Sequence, residues 1–235
     1  MFCCLSAPWA RPLGLSLGLA LACHAGWAFE SVRAQEIAQC LPGEAVTWGD
    51  GQDRPASSAA LLFVYRHTGA PAWFSEAQVL AAVQQAATAW SQCGVPGRVL
   101  SAPAGAALPA GAVLVQWSEA GSRGNFGLAD LGQRLLSLGP AAFALLNTRN
   151  PAHDARQTLQ MVISHEMGHH FGLMAHSRRC VDVTSYYDNG RGEQCRTRDG
   201  AARPPGVEYR ALLPTACDIE RCVSANRRAL PLLAR

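Results

Sequence analysis

The chain has 235 residues, 49% of them hydrophobic and 16% charged, with a formal net charge of +3. That is enough apolar material for one domain with a sizeable core. The charge is small and dispersed, and no Lys/Arg run is interleaved with aromatics, so the electrostatic footprint of a nucleic-acid binder is absent from the sequence.

At the N-terminus, Arg11 is the only positive charge ahead of an apolar run from Leu13 to Ala22, which is too short to span a bilayer. Small residues follow. Residues 1–28 read as a signal peptide cleaved after Ala25 or Ala28, and lipidation at Cys23 is the alternative. No later apolar stretch is long enough for a membrane helix. The mature chain is expected to be secreted or periplasmic, monomeric and free of the membrane. Of nine cysteines, Cys3, Cys4 and Cys23 fall in the leader, leaving Cys40, Cys93, Cys180, Cys195, Cys217 and Cys222. An even set in an exported chain predicts up to three disulfides. The expected pairs are Cys180–Cys195, Cys40–Cys93 and Cys217–Cys222. The last is the weakest, because an i,i+5 spacing points two side chains of a helix apart.

Residues 29–57 carry no clear element. Ala59 to His67 is an apolar strand candidate. Ser75 is a good N-cap for a helix over 76–92, whose Val79, Leu80, Val83, Ala86, Ala87 and Trp90 recur at helical spacing before Gly94 stops it. Arg98–Ser101 and Ala112–Ser118 read as strands on either side of an Ala/Gly/Pro loop. Gly121–Gly127 reads as a glycine-rich turn into an edge strand, and Ala142–Thr148 as another apolar strand. Thr158–Phe171 reads as a helix with a broad apolar stripe, and Thr215–Asn226 as a last helix capped by Thr215. Strands alternating with two long helices predict an α/β (α+β) layer architecture.

The chemistry sits near the end of the Thr158–Phe171 helix. His165-Glu166-Met167-Gly168-His169 is an HExxH sequence. Two histidines four apart project from one face of a helix, one turn apart, and can reach the same metal ion. Glu166 is rotated about 100° from His165 and is placed to act on water as a general base. Gly172 can turn left-handed without a Cβ penalty and send the chain back toward the ion, with a third histidine, His176, following it. His170 points away from His169 and is expected in the core or behind the ligands.

Residues 165–177 resemble the metzincin zinc peptidases, whose pattern is HExxHxxGxxH followed by a Met-turn. Ser177 after the third histidine is most similar to the matrixin branch. Two departures stand out. The family spacing puts the third ligand at Ala175, so His176 arrives one residue late and needs a small bulge after Gly172. The only methionines are Met1, Met161, Met167 and Met174. The segment Asp182–Tyr187 therefore resembles the Met-turn with Thr184 in the methionine's place, a substitution that leaves a hydroxyl in need of a partner. Tyr186 stands where two other branches place a tyrosine near the metal. It is read either as a phenol that steadies an oxyanion or as a core tyrosine with a satisfied hydroxyl.

The resemblance implies a mixed twisted sheet with two long helices and a zinc helix at the cleft, carried by a catalytic domain over 58–228. A small C-terminal lobe holds the last helix, with Asp218-Ile219 at a family position, and 229–235 is a tail. It also implies that substrate lies along an edge strand over 125–131. One catalytic zinc ion would be held by His165, His169 and His176, with Glu166 as base and Tyr186 as a further catalytic candidate. Glu119 and Asp130 are candidates for a structural calcium. Cys40 lacks the family's switch motif and is expected in a disulfide instead. The implied activity is hydrolysis of a protein or peptide substrate. An inactive zinc-binding interaction module, or a zinc hydrolase of non-peptide amides, remains as the alternative.

Overall fold

A computed structural model describes residues 32–201, 203 and 207–227. The leader assigned to 1–28, Cys23 within it, and the tail 229–235 lie outside the described residues. Among the described residues, one mixed sheet has the order β2-β1-β3-β5-β4. Strands β1 (Leu61–Arg66), β2 (Gly97–Ser101), β3 (Val113–Trp117) and β5 (Leu135–Leu138) run parallel, and β4 (Gly127–Asp130) closes the edge antiparallel to β5. β1 sits inside the sheet and buries Leu61, Phe63, Val64 and Tyr65. That explains its continuous apolar run: a parallel strand covered on both faces has no reason to alternate.

Helix α1 is described over residues 32–38. Helix α2 (Glu76–Trp90) starts at Ser75, whose hydroxyl accepts from the Gln78 amide while the Gln78 side chain accepts from the Ser75 amide. This reciprocal box satisfies two otherwise orphaned donors. The helix tightens into a 3₁₀ turn (Ser91–Cys93) and ends at left-handed Gly94. α5 (Ala155–His170) starts at Asp154, which caps the Arg156 amide. α2 and α5 pack together, with the Trp90 indole donating to the Ser164 carbonyl at 2.8 Å. Phe171, just past α5, stacks on Trp90 and Phe63 with ring centroids 5.8 Å and 6.1 Å away. Phe63 and Phe171 are fully buried, each contributing about 1.5–3 kcal/mol. The last helix is α6 (Ala216–Arg227), capped by Thr215, which exchanges hydrogen bonds with Asp218.

Some of the sequence expectations need correction. Ala142–Thr148 is not a strand but part of helix α4 (Pro140–Arg149). Pro140 after Gly139 pre-sets a helical start, and Ala and Leu are strong helix formers. Only Phe143 of that helix is buried, whereas a central strand would bury its run. The strand there is the shorter Leu135–Leu138, and a four-residue helix α3 (Glu119–Ser122) precedes the edge strand.

The disulfides are Cys180–Cys195, as expected, but also Cys40–Cys217 and Cys93–Cys222, replacing Cys40–Cys93 and Cys217–Cys222. Five residues apart on α6, Cys217 and Cys222 point about 140° apart. They staple one helix to two different segments. Three disulfides fit an oxidising compartment. No described helix is long and apolar enough to cross a membrane.

Candidate metal centre

Helical geometry brings His165 and His169 together, with ring centroids 5.2 Å apart. At Gly172 φ is +110°, a conformation open to glycine but not to residues with a Cβ. A Cβ there would also meet the Arg54 carbonyl at 2.1 Å. The chain turns on this residue and carries His176 to ring-centroid distances of 5.3 Å from His165 and 5.2 Å from His169. One ligand atom from each of the three histidines lies within 4.8 Å of the others.

The opposite ring nitrogens are all spoken for. His165 Nδ1 bonds the Val183 carbonyl at 2.8 Å, His169 Nδ1 the Leu173 carbonyl at 2.6 Å, and His176 Nδ1 the Asp50 carboxylate at 2.6 Å. Carbonyl and carboxylate oxygens only accept, so each Nδ1 carries the proton and each Nε2 keeps its lone pair. His176 Nε2 is buried with no hydrogen-bond partner. Burial pushes all three imidazoles down, His165 well below its usual value and His169 to about 4, which favours the neutral, ligating form. Three neutral imidazoles with convergent lone pairs are a donor set suited to zinc.

No family model matches this chain, and no curated protein matches it. Among solved structures, seven chains do. One comes from a structure described as the GM1 bound form of the ECX AB5 holotoxin. It is 13% identical, covering 80% of this chain and 92% of that chain, at a TM-score of 0.45. The chemistry of this chain rests on its own residues.

Glu166 is buried beside the histidines, and its Oε2 accepts from the Ala129 amide of β4 at 2.8 Å. Burial pushes its carboxyl up to about 7, against the pull of that backbone bond. Tyr186 is not a core residue with a satisfied hydroxyl. It is 46% exposed, and its ring lies on His176 at 3.6 Å between centroids and 13° between planes. Partial burial, then the Glu166 and Asp50 charges, raise its phenol. The cleft over the histidines has a volume of about 450 Å³ and is walled by Phe126, Leu128, Met161, Val162, Tyr186 and Arg210.

The turn at Thr184 is held from below by α6. Asp218 Oδ2 accepts from the Val183 amide at 2.9 Å, while Asp218 Oδ1 accepts from the Thr184 hydroxyl at 2.6 Å. Arg221 donates to the same hydroxyl at 3.2 Å. The hydroxyl therefore has its partners, and the bonded turn aims the Val183 carbonyl at His165. Thr184→Val keeps the shape and strands the Asp218 oxygen. Urea unfolding is expected to show a loss of about 1–3 kcal/mol, and no loss would mean this bond is not structural.

The remaining sequence candidates have local roles. Glu119 caps the Ala141 amide, and Asp130 the Gln133 amide. Neither joins a cluster of three metal-ligating side chains among the described residues. His170 is buried with its ring edge against Phe63, 6.1 Å between centroids. Sequence reasoning missed Asp50, Asp53 and Arg221. Its one available signal was the acidic, glycine-containing stretch Gly49-Asp50-Gly51-Gln52-Asp53, which lies in the segment left unassigned.

Proposed function

We propose that this chain is an exported zinc-dependent endopeptidase of the metzincin type. The observation that supports this most is the set of three histidines whose Nδ1 atoms are each held by an oxygen acceptor, so that the free lone pairs converge on the cleft. His165, His169 and His176 would hold the ion. Zinc bound there supplies a Lewis acid that polarises a scissile carbonyl and lowers the pKa of water.

The rest falls to the chain's own groups. Glu166 takes a proton from the attacking water at its carboxylate and delivers it to the leaving amine. The Ala129 amide fixes one Glu166 oxygen, which leaves the other for the proton. Tyr186 covers one side of the cleft and carries its hydroxyl proton at neutral pH, as a donor to developing negative charge must. β4 lies at the edge of the sheet and lines the same cleft, so an extended peptide can add to it as a further strand. The leader pattern and the three disulfides support export.

Purified, oxidised protein is expected to hold zinc by elemental analysis. It is also expected to cleave casein in a reaction that 1,10-phenanthroline stops and added zinc restores. Bound zinc without cleavage would favour an interaction module on the same scaffold, and absence of bound metal would end the proposal.

A further inference from the structure

The segment 44–56, which has no regular element of its own, runs across the loop 172–178 and is fastened to it along its length. The Trp48 amide donates to the His176 carbonyl, the Arg178 amide to the Val46 carbonyl, and the Arg54 amide to the Gly172 carbonyl, each at 3.0 Å. A Cβ on Gly51 would meet the Met174 carbonyl oxygen at 2.4 Å, so the two segments are in backbone contact. Within this strap, two carboxylates divide the loop between them. Asp53 Oδ1 accepts from the Met174 and Ala175 amides at 2.9 and 3.1 Å. Arg221 of α6 clamps that carboxylate with both oxygens engaged, at 3.0 and 2.8 Å, and also donates to the Ala175 carbonyl at 2.6 Å. Ala175 is buried, and both its backbone polar groups are tied. Asp50 then takes His176 twice, accepting from its backbone amide at 2.9 Å and from its Nδ1 at 2.6 Å.

This arrangement explains the late histidine. The extra residue between Gly172 and the third donor is folded into a turn that Asp53 and Arg221 hold down. The next residue is presented to the cluster with both its backbone and its ring gripped by one carboxylate. We infer that Asp50 is a positioning residue for the third metal ligand, selecting the Nδ1–H tautomer of His176 and fixing its ring plane through a strap that lies outside the HExxH helix and its loop. The inference rests on the three histidines being a metal site. A carboxylate behind a ligating imidazole orients the ring and raises its basicity, and removing one costs about 10–100-fold in metal affinity.

Chelator competition on the disulfide-intact protein gives the zinc affinity of the wild type, Asp50→Ala, Asp50→Asn, His176→Ala and the double variant Asp50→Ala/His176→Ala. Asp50→Ala is expected to weaken zinc binding by about 10–100-fold. Asp50→Asn, which keeps an acceptor oxygen and loses the charge, should weaken it less, and it answers the same question if the alanine variant does not fold. The double variant is expected to bind no more weakly than His176→Ala alone, because Asp50 acts through that ring. A carboxylate that served only to brace the loop would give losses that add. In metal-free protein, long-range ¹H–¹⁵N spectra should show the Nδ1–H tautomer released at His176 alone in Asp50→Ala, with His165 and His169 unchanged. Wild-type protein that holds no zinc overturns the metal reading and this inference together. Wild-type protein that binds zinc no more tightly than either Asp50 variant overturns this inference alone.

Discussion

Glu166→Gln is expected to lower the rate of peptide hydrolysis by about 10²–10⁴-fold while leaving bound zinc unchanged. The substitution keeps size and planarity and removes the negative charge and the capacity to take a proton. Glu166 is not among the three convergent donors, so metal content should not follow activity. Its neighbours also predict an intact fold, because an amide oxygen can still accept from Ala129 where the carboxylate does now. The measurement is kcat on a casein or peptide substrate beside zinc by elemental analysis on the same preparation. Wild-type turnover in the variant would remove Glu166 from the role of base. Lost zinc in the variant would mean that the carboxylate holds the ion after all.

Removing the Cys40–Cys217 disulfide should give the largest loss of stability. It joins residues 177 apart, against 15 for Cys180–Cys195, and it ties α6 to the chain just ahead of the strap that carries Asp50 and Asp53. Loss of a native disulfide from an exported domain costs about 2–5 kcal/mol, and long loops lie toward the upper end. For a chain of this size the Cys40→Ser/Cys217→Ser variant should therefore melt about 5–15 °C lower. The loss should extend to the site. With its anchor gone, the strap holds His176 less often, and zinc should be released at lower chelator concentration than from wild type. Removing Cys180–Cys195 should lower stability by a smaller amount. Equal melting temperatures for wild type and the Cys40/Cys217 variant would show that the strap is held by its hydrogen bonds alone.

Local spacing carried a good part of this molecule into view. The α2 start at Ser75, the Gly94 stop, β1, β2, β3 and the helix that carries His165, Glu166 and His169 were all legible, because each depends on residues a few positions apart. The edge strand and the last helix were legible as well, with ends shifted by one or two residues. Ala142–Thr148 misled because an apolar run of that length does not separate strand from helix. Pro140 and the Ala/Leu content decided it, together with a surface position that buries Phe143 alone. Leu135–Leu138 was too short to register, yet it completes the sheet by pairing β3 on one side and β4 on the other.

The amino-acid order by itself determined that His165 and His169 share a face, that Glu166 stands beside them, and that the chain turns back at Gly172. Those relations follow from a fixed helical repeat and one backbone angle. Tertiary structure alone decided which cysteines meet, where the Thr184 hydroxyl finds its partner, and how His176 reaches the cluster one residue late. Apart from Cys180–Cys195, which spans 15 residues and was expected from the sequence, each of those contacts joins positions more than thirty residues apart. A carboxylate at Asp50 or Asp218 has no preferred partner until the packing of the strap and α6 brings one within hydrogen-bond range.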